Sequence, residues 1–269
     1  MQRSTDRILT THVGSLVRPQ GLVELVRAKE NGQPYDQQEL AARVRSSVQE
    51  VVHKQVETGI DIPSDGEYGK PSFSGYVNER LSGFERRPRD PNESPLLNWG
   101  RDRQLFREFY EEYDRATGSA SGHPVVCTGP ITYQGQAAVQ SDIATFKAAL
   151  GGVNPAEAFI PAVAPGTIEL QRRNTHYPTD EVYLFAIAEA MREEYRTIVD
   201  AGFILQLDDP RVVTQYGMPD PAPSIADYRK FAELRVEAIN HALAGIPSDR
   251  VRYHLCWEAG MGPMSPMYR

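Results

Sequence analysis

The sequence predicts an α/β fold of the (β/α)8 TIM-barrel type with about six βα units, and two observations carry that expectation. Strand-like runs alternate with long amphipathic helical patterns, an order that gives a parallel sheet or barrel. Polar residues gather at the C-terminal end of nearly every strand, which is where barrel enzymes build their sites. A chain of 269 residues can bury one large core. Such barrels typically need about 250 residues with short loops, and the insertions here leave the count two units short of eight. An open doubly wound sheet would also tolerate six strands. One domain over 1–269 is expected, with an insertion at about 86–122.

The first unit is the strand Arg7–Ser15 and a helix from about Gly21. A longer helix opens at Asp36, where Asp36 and Glu39 form a capping-box pattern, and Gly59 ends it. Leu40, Val44, Val48, Val51 and Val52 make its apolar stripe. The second strand is Ile60–Glu67, and a helical stretch near Tyr76–Leu81 leads into the polar insertion with its charged helix at about Arg101–Ala116. The third strand is Pro124–Thr132 and the fourth Ala158–Ala164. Asp180–Ala201 reads as a helix with Ile187, Met191, Tyr195 and Ile198 in register. Phe203–Asp208 is the fifth strand. Ser224 and Asp227 start the next helix, and Val251–Cys256 is the sixth strand.

Composition narrows the function classes. The 29 Lys and Arg against 36 Asp and Glu give a net charge of −7, which argues against a general nucleic-acid binder. No apolar run approaches the length of a membrane span, and the polar start shows no signal peptide. Two cysteines, Cys127 and Cys256, do not make a disulfide scaffold and fit a reducing cytoplasm.

The residues that could carry chemistry sit at strand ends. His254 and Cys256, two apart on a strand, would point to one face and could converge on a metal; an imidazole and a thiolate suit zinc. A buried strand with a small thiol and a hydrogen-bonded His is the plainer alternative. Gly14 and Ser15 close the first strand, where glycine allows close backbone approach to a ligand and serine can cap or bind a carboxylate. The run Asp65-Gly66-Glu67-Tyr68-Gly69-Lys70 offers a carboxylate for a substrate ammonium or a base, or else a solvated Asp-Gly turn. Asp208-Asp209-Pro210 is either a ligand anchor or a pair that orders a loop. Cys127 reads as a small buried hydrophobe, and His53, His123, His176 and His241 as structural or surface residues.

Taken together, Thr11-His12-Val13-Gly14-Ser15-Leu16, Ser64-Asp65-Gly66-Glu67-Tyr68, Gly129-Pro130-Ile131-Thr132, Glu193-Glu194-Tyr195, Leu205-Gln206-Leu207-Asp208-Asp209-Pro210 and His254-Leu255-Cys256-Trp257 form an ordered set. This set resembles the C-terminal catalytic barrel of the cobalamin-independent methionine synthase family and its stand-alone relatives. The resemblance implies zinc-dependent methyl transfer from a methyltetrahydrofolate-type donor to the homocysteine thiol. It assigns His254 and Cys256 to zinc, Gly14 and Ser15 to the amino-acid carboxylate, Glu67 and Asp208 to its ammonium, and Thr132 and Tyr133 to the folate side. The family's further zinc ligands, a Glu and a Cys, lie beyond the His-x-Cys strand, and no counterpart of its last two βα units precedes residue 269. Glu258 falls on the same face as His254 and Cys256 and is a weak third candidate.

Two other functions compete. One is zinc-dependent alkyl transfer to another thiol, as in the related epoxyalkane:coenzyme M transferases; Glu67 and Asp208 favour an amino-acid thiol over a sulfonate. The other is an inactive partial barrel that binds a small ligand or a partner. In every case the partners expected are small molecules, with neither nucleic acid nor membrane. The gap at the open barrel edges is expected either to be filled by a second copy of the chain or to remain a marginally stable opening.

Overall fold

Helix Asp180–Asp200 carries the longest apolar stripe, and the fold is assembled around it. The computed structural model describes residues 1–88, 105–117, 124–217, 219 and 221–256. Thr179 caps this helix, its hydroxyl accepting from the Val182 amide at 3.2 Å, and acids fill the first turn. Tyr183, Leu184, Ile187, Met191, Tyr195 and Ile198 are all buried along it. Helix Ile225–Ala242, helix Gln136–Ala149 and the short helix Pro165–Gln171 pack against it. The Phe146 and Phe203 rings stack with centroids 4.9 Å apart at the edge of this core.

The caps anticipated from sequence form where expected. Asp36 accepts from the Gln38 and Glu39 amides at 2.8 and 3.0 Å and starts helix Gln37–Glu57. Glu39 does not reach back to close the box; it turns to Arg43 instead. Ser224 caps helix Ile225–Ala242 and exchanges hydrogen bonds with Asp227. Helix Gln136–Ala149 had no clear signal, because its alanines blur the apolar stripe.

Among the described residues the strands are six: β1 Phe84–Arg86, β2 Val125–Cys127, β3 Phe159–Val163, β4 Arg173–Asn174, β5 Ile204–Asp208 and β6 Val251–His254. They pair as two three-stranded sheets, β1-β2-β4 and the parallel β3-β5-β6, and not as one run of six parallel strands. The expected strands Arg7–Ser15 and Ile60–Glu67 run alongside each other but share a single parallel bridge, Thr11 to Ile62. The Asp61 carboxylate takes the Thr10 amide at 2.8 Å and Pro63 has no amide to give, so the ladder cannot extend. The expected third strand shrinks to β2, which joins a second, mixed sheet, antiparallel to β1 and parallel to β4. The sixth stops at His254. The last main-chain bond there runs from the Asp209 amide to the His254 carbonyl, and β5 ends before Pro210, so residues 255 and 256 have no ladder to join.

Register on β3-β5-β6 sets up one functional face. Phe159 pairs with Ile204; Pro161, Gln206 and Arg252 form the next row; Val163, Asp208 and His254 form the third. Phe159, Ile204 and Ile62 make an apolar floor with Leu9, and the Arg252 guanidinium lies 3.6 Å above the Phe159 ring. Above that floor the face turns polar. Leu205 and Leu207 point the other way into the main core.

Glu194 is a fully buried carboxylate on helix Asp180–Asp200. Its oxygens accept from Tyr76 at 2.9 Å and Tyr133 at 2.7 Å, and Arg80 Nη1 lies at 3.0 Å. Arg80 also pairs with Asp142, so helices 77–80, 136–149 and 180–200 meet at one guanidinium. Burial would push the Glu194 carboxyl up, but the charges of Arg80 and Lys70 and the Tyr133 hydrogen bond outweigh it and hold it low. Trp257, Glu258, His123 and most of the 86–122 insertion lie outside the described residues, as does the tail. Among the described residues no helix is long and apolar enough to cross a membrane.

Removing Arg80 strands a buried charge, whereas the Arg43–Glu39 pair is on the surface. Arg80→Ala should lower the unfolding free energy by about 3–5 kcal/mol, and Arg43→Ala by about 1 kcal/mol or less. Urea midpoints for the two variants check this; equal losses would contradict it.

Candidate active site

The turn Ser64–Lys70 is the rigid side of the site. Gln55 brackets Ser64, accepting its amide at 3.1 Å and donating to its carbonyl at 2.8 Å. The Asp65 carboxylate accepts the Glu67 amide at 2.9 Å. Arg18 reaches in from the first segment and donates to the carbonyls of Glu67 and Lys70, both at 2.8 Å. Gly66 and Glu67 are thereby held in left-handed backbone, with φ of 65° and 59°. That conformation is ordinary for glycine and uncommon for glutamate, and here the surroundings over-determine it. The Asp65-Gly66 dipeptide is therefore a buried turn and not a solvated one.

Glu67 is buried and faces three groups. The Ser15 hydroxyl donates to its Oε2, and a Cβ at Gly14 would lie 3.7 Å from the same oxygen. Lys70 Nζ is 3.8 Å from Oε1, but its short bond, 2.6 Å, goes to the Pro161 carbonyl. Lys70 is itself buried, 4.4 Å from the centre of the Tyr76 ring. Across the face, Asp208 accepts from Gln206 Nε2 at 2.7 Å. Burial and then the negative charge of Glu67 raise the Asp208 carboxyl to about 7, against the pull of Gln206, Lys70 and Arg252. Burial likewise lifts Asp65 to about 6, opposed by Lys70.

Asp208 and Asp209 have separate roles. Asp209 is fully buried on the far side and accepts from Thr167 and Tyr253 hydroxyls, both at 2.7 Å. It orders the loop after β5, while Asp208 alone faces the site. Of the two acids, Asp209 is the one that orders the loop, and Asp208 lies near Glu67.

His254 sits beside Asp208 in the ladder and is half-buried; burial, then the Arg252 charge, lowers its pKa and favours the neutral imidazole that can bind a metal. Cys256 lies two residues past the strand end, so alternation along β6 does not place its thiol. A catalytic zinc takes three protein ligands and an open position. Among the described residues no three His, Cys, Asp or Glu side chains gather as a group that could hold a metal ion. The two donors by themselves do not make a zinc site.

The remaining candidates divide. Tyr133 is half-buried with its hydroxyl on Glu194, and Thr132 is exposed, its hydroxyl 2.7 Å from that of Ser82. Cys127 is fully buried, and burial pushes its thiol up, as suits a packing residue. His241 pairs with Glu189 on the surface. Sequence reasoning assigned no role to Lys70, Gln206 or Arg252. Gln206 and Arg252 alternate with apolar residues on their strands, and that polar half of the pattern was the available signal.

The raised Asp208 pKa has a sign. A carboxyl whose folded value lies above its unfolded value, about 4, loses stability as pH rises from there through about 7. Asp208→Asn should therefore raise the melting temperature at pH 8 by several degrees and leave it nearly unchanged at pH 4.5. Thermal melts at the two pH values measure this, and a variant destabilised at pH 8 would contradict it.

Comparison with known proteins agrees with the motif set. No family model matches the chain. A methionine synthase of Sulfolobus acidocaldarius is 26% identical over 249 residues, covering 92% of this chain and 61% of the relative. A methionine synthase of Pyrococcus furiosus is 24% identical over 250 residues, with 93% and 61% covered. The chain thus spans about three fifths of the length of these relatives. Among solved structures, a B12-independent methionine synthase from Shewanella sp. W3-18-1 in complex with selenomethionine superposes with a TM-score of 0.66 at 18% identity, covering 94% of this chain and 62% of that one. The chain is similar over nearly its whole length to methionine synthases, and it shares the fold of the B12-independent enzyme.

Proposed function

We propose that this chain binds homocysteine and transfers to its sulfur the methyl group of a methyltetrahydrofolate-type donor, forming methionine. The observation that carries the reading is the convergence of Glu67 and Asp208 on one buried face beside Ser15. A buried acid whose ionisation a neighbouring carboxylate opposes, as Glu67 opposes that of Asp208, is a poor choice for stability and a good one for an ammonium. The similarity to methionine synthases supports the same substrate.

In this reading the substrate ammonium lies between the Glu67 and Asp208 carboxylates, and its carboxylate meets the Gly14–Ser15 loop. Asp208 must be ionised to contribute, so ammonium affinity rises with pH through about 7. The substrate sulfur attacks the donor's methyl carbon; the sulfur–carbon bond forms, the carbon–nitrogen bond breaks, and the departing amine takes up a proton. Thr132 and Tyr133 lie on the donor side. A zinc ion held in part by His254 and Cys256 would favour the thiolate form of the substrate. The proposal includes a (β/α)8-type catalytic unit over 1–269, incomplete at about six βα units, working in the cytoplasm, with the free edge of β6 available to a second copy.

Calorimetry with homocysteine, methionine and 2-mercaptoethanesulfonate tests the substrate. Both amino acids should bind and the sulfonate should not; Glu67→Gln and Asp208→Asn should each weaken methionine binding by roughly tenfold or more, the scale of a lost charged hydrogen bond. Preference for the sulfonate would favour alkyl transfer to a coenzyme M-type thiol, and binding of none would favour an inactive partial barrel that binds another ligand or a partner. Zinc retained after dialysis should be lost in His254→Ala and Cys256→Ala; equal zinc in all three proteins would remove these residues from the metal.

A further inference from the structure

Gln206 occupies the centre of the polar face and uses both ends of its amide. Its Nε2 donates to Asp208 Oδ1 at 2.7 Å and to the main-chain carbonyl of Val13, the residue before Gly14. Its Oε1 accepts from Arg252 Nε at 2.7 Å. The guanidinium continues to the Thr11 hydroxyl at 3.3 Å and the His12 carbonyl at 3.4 Å, with its plane on the Phe159 ring. A guanidinium is charged at any working pH and its donors are fixed in a fork, so this amide has one orientation available to it.

The segment Thr11–Val13 needs this support. It shares only one ladder bridge with its neighbour, and Val13 is 62% exposed. The Ser15 hydroxyl and the Leu16 amide tie the loop to the Ser64–Lys70 turn, and Gln206 and Arg252 supply its direct side-chain links to β5 and β6. We infer that Arg252, acting through Gln206, is a positioning residue that sets the distance between the ammonium-binding carboxylate of Asp208 and the carboxylate-binding loop Gly14–Ser15, and so makes the site read the whole α-amino-acid head group. This rests on the amino-acid reading of the site given above. Neither residue touches the reacting sulfur; both act by holding two halves of a recognition unit at one spacing.

A merely structural role would weaken all ligands alike, whereas a head-group ruler should affect only those that engage both halves. The test compares methionine with its decarboxylated analogue, 3-(methylthio)propylamine, by calorimetry on the full chain. Wild type should prefer methionine by at least tenfold. Arg252→Met should lose most of that preference, binding methionine at least tenfold more weakly and the amine within about twofold of wild type. Gln206→Met, close in size and with no donor, should behave the same and stands in if Arg252→Met does not fold. Arg252→Lys, which keeps charge without the fork, should not restore the preference. In turnover, the same variants should raise KM for homocysteine far more than they lower kcat.

Parallel loss of both ligands in the folded variants, or full preference in Arg252→Lys, would overturn the ruler. If wild type binds neither compound, the amino-acid reading itself fails and takes the inference with it. If wild type binds both equally, the amino-acid site survives and the ruler alone is refuted.

Discussion

Glu194 and its partners tie two distant stretches of chain to helix Asp180–Asp200. A carboxylate with no exposed surface can survive as an ion only if its surroundings replace water, and here Tyr76 and Arg80 do so from one stretch of chain and Tyr133 from another. The Tyr76 hydroxyl is also 3.2 Å from the Val163 amide, at the end of β3, and Tyr195 donates to the Val163 carbonyl at 2.7 Å. The network therefore fixes the strand ends on which the site is built. Its charge also reaches Lys70, which stands between Glu194 and Glu67.

The site can hold Glu67 and Asp208 close together because the cost is borne elsewhere. Glu67 is fixed by a turn that Gln55, Asp65 and Arg18 brace from three directions, and Asp208 by the ladder and Gln206. Lys70 moderates the repulsion without quenching it, since its short contact is to the Pro161 carbonyl. Lys70 and Arg252 both favour the ionised form of Asp208, and burial and Glu67 outweigh them; in the proposed reading a substrate ammonium completes the balance.

Much of this was readable in the sequence where signals were local. Asp36 and Ser224 cap helices because a side-chain oxygen next to a helical period has few other uses. Residues Glu67 and Asp208 stood out as acids at strand ends, and burial on a shared face supports that reading. Sheet pairing was less legible. Strand-like runs such as Arg7–Ser15 have the right residues, but whether they pair depends on Asp61 and Pro63 far along the chain. The division of labour between Asp208 and Asp209 could not be read locally either, because it depends on which sheet face meets Thr167 and Tyr253. Arg252 and Gln206 were visible only as polar residues on a strand; their joint role required the register of β5 against β6.

The left-handed pair Gly66–Glu67 has a consequence for how a ligand is met. A glutamate on an ordinary strand surrenders side-chain and backbone freedom when it grips a cation, and that entropy is subtracted from the affinity. Glu67 has already surrendered its backbone freedom during folding, and Ser15 narrows what remains of its rotamers. Restoring that freedom by loosening the turn would weaken recognition with no contact removed. Gly66 carries the same constraint in steric form, since a Cβ there would meet the Tyr68 ring at 3.0 Å and Leu16 at 3.2 Å. The turn is thus a place where sequence drift should be slow for reasons of chain geometry, one residue away from the carboxylate proposed to bind.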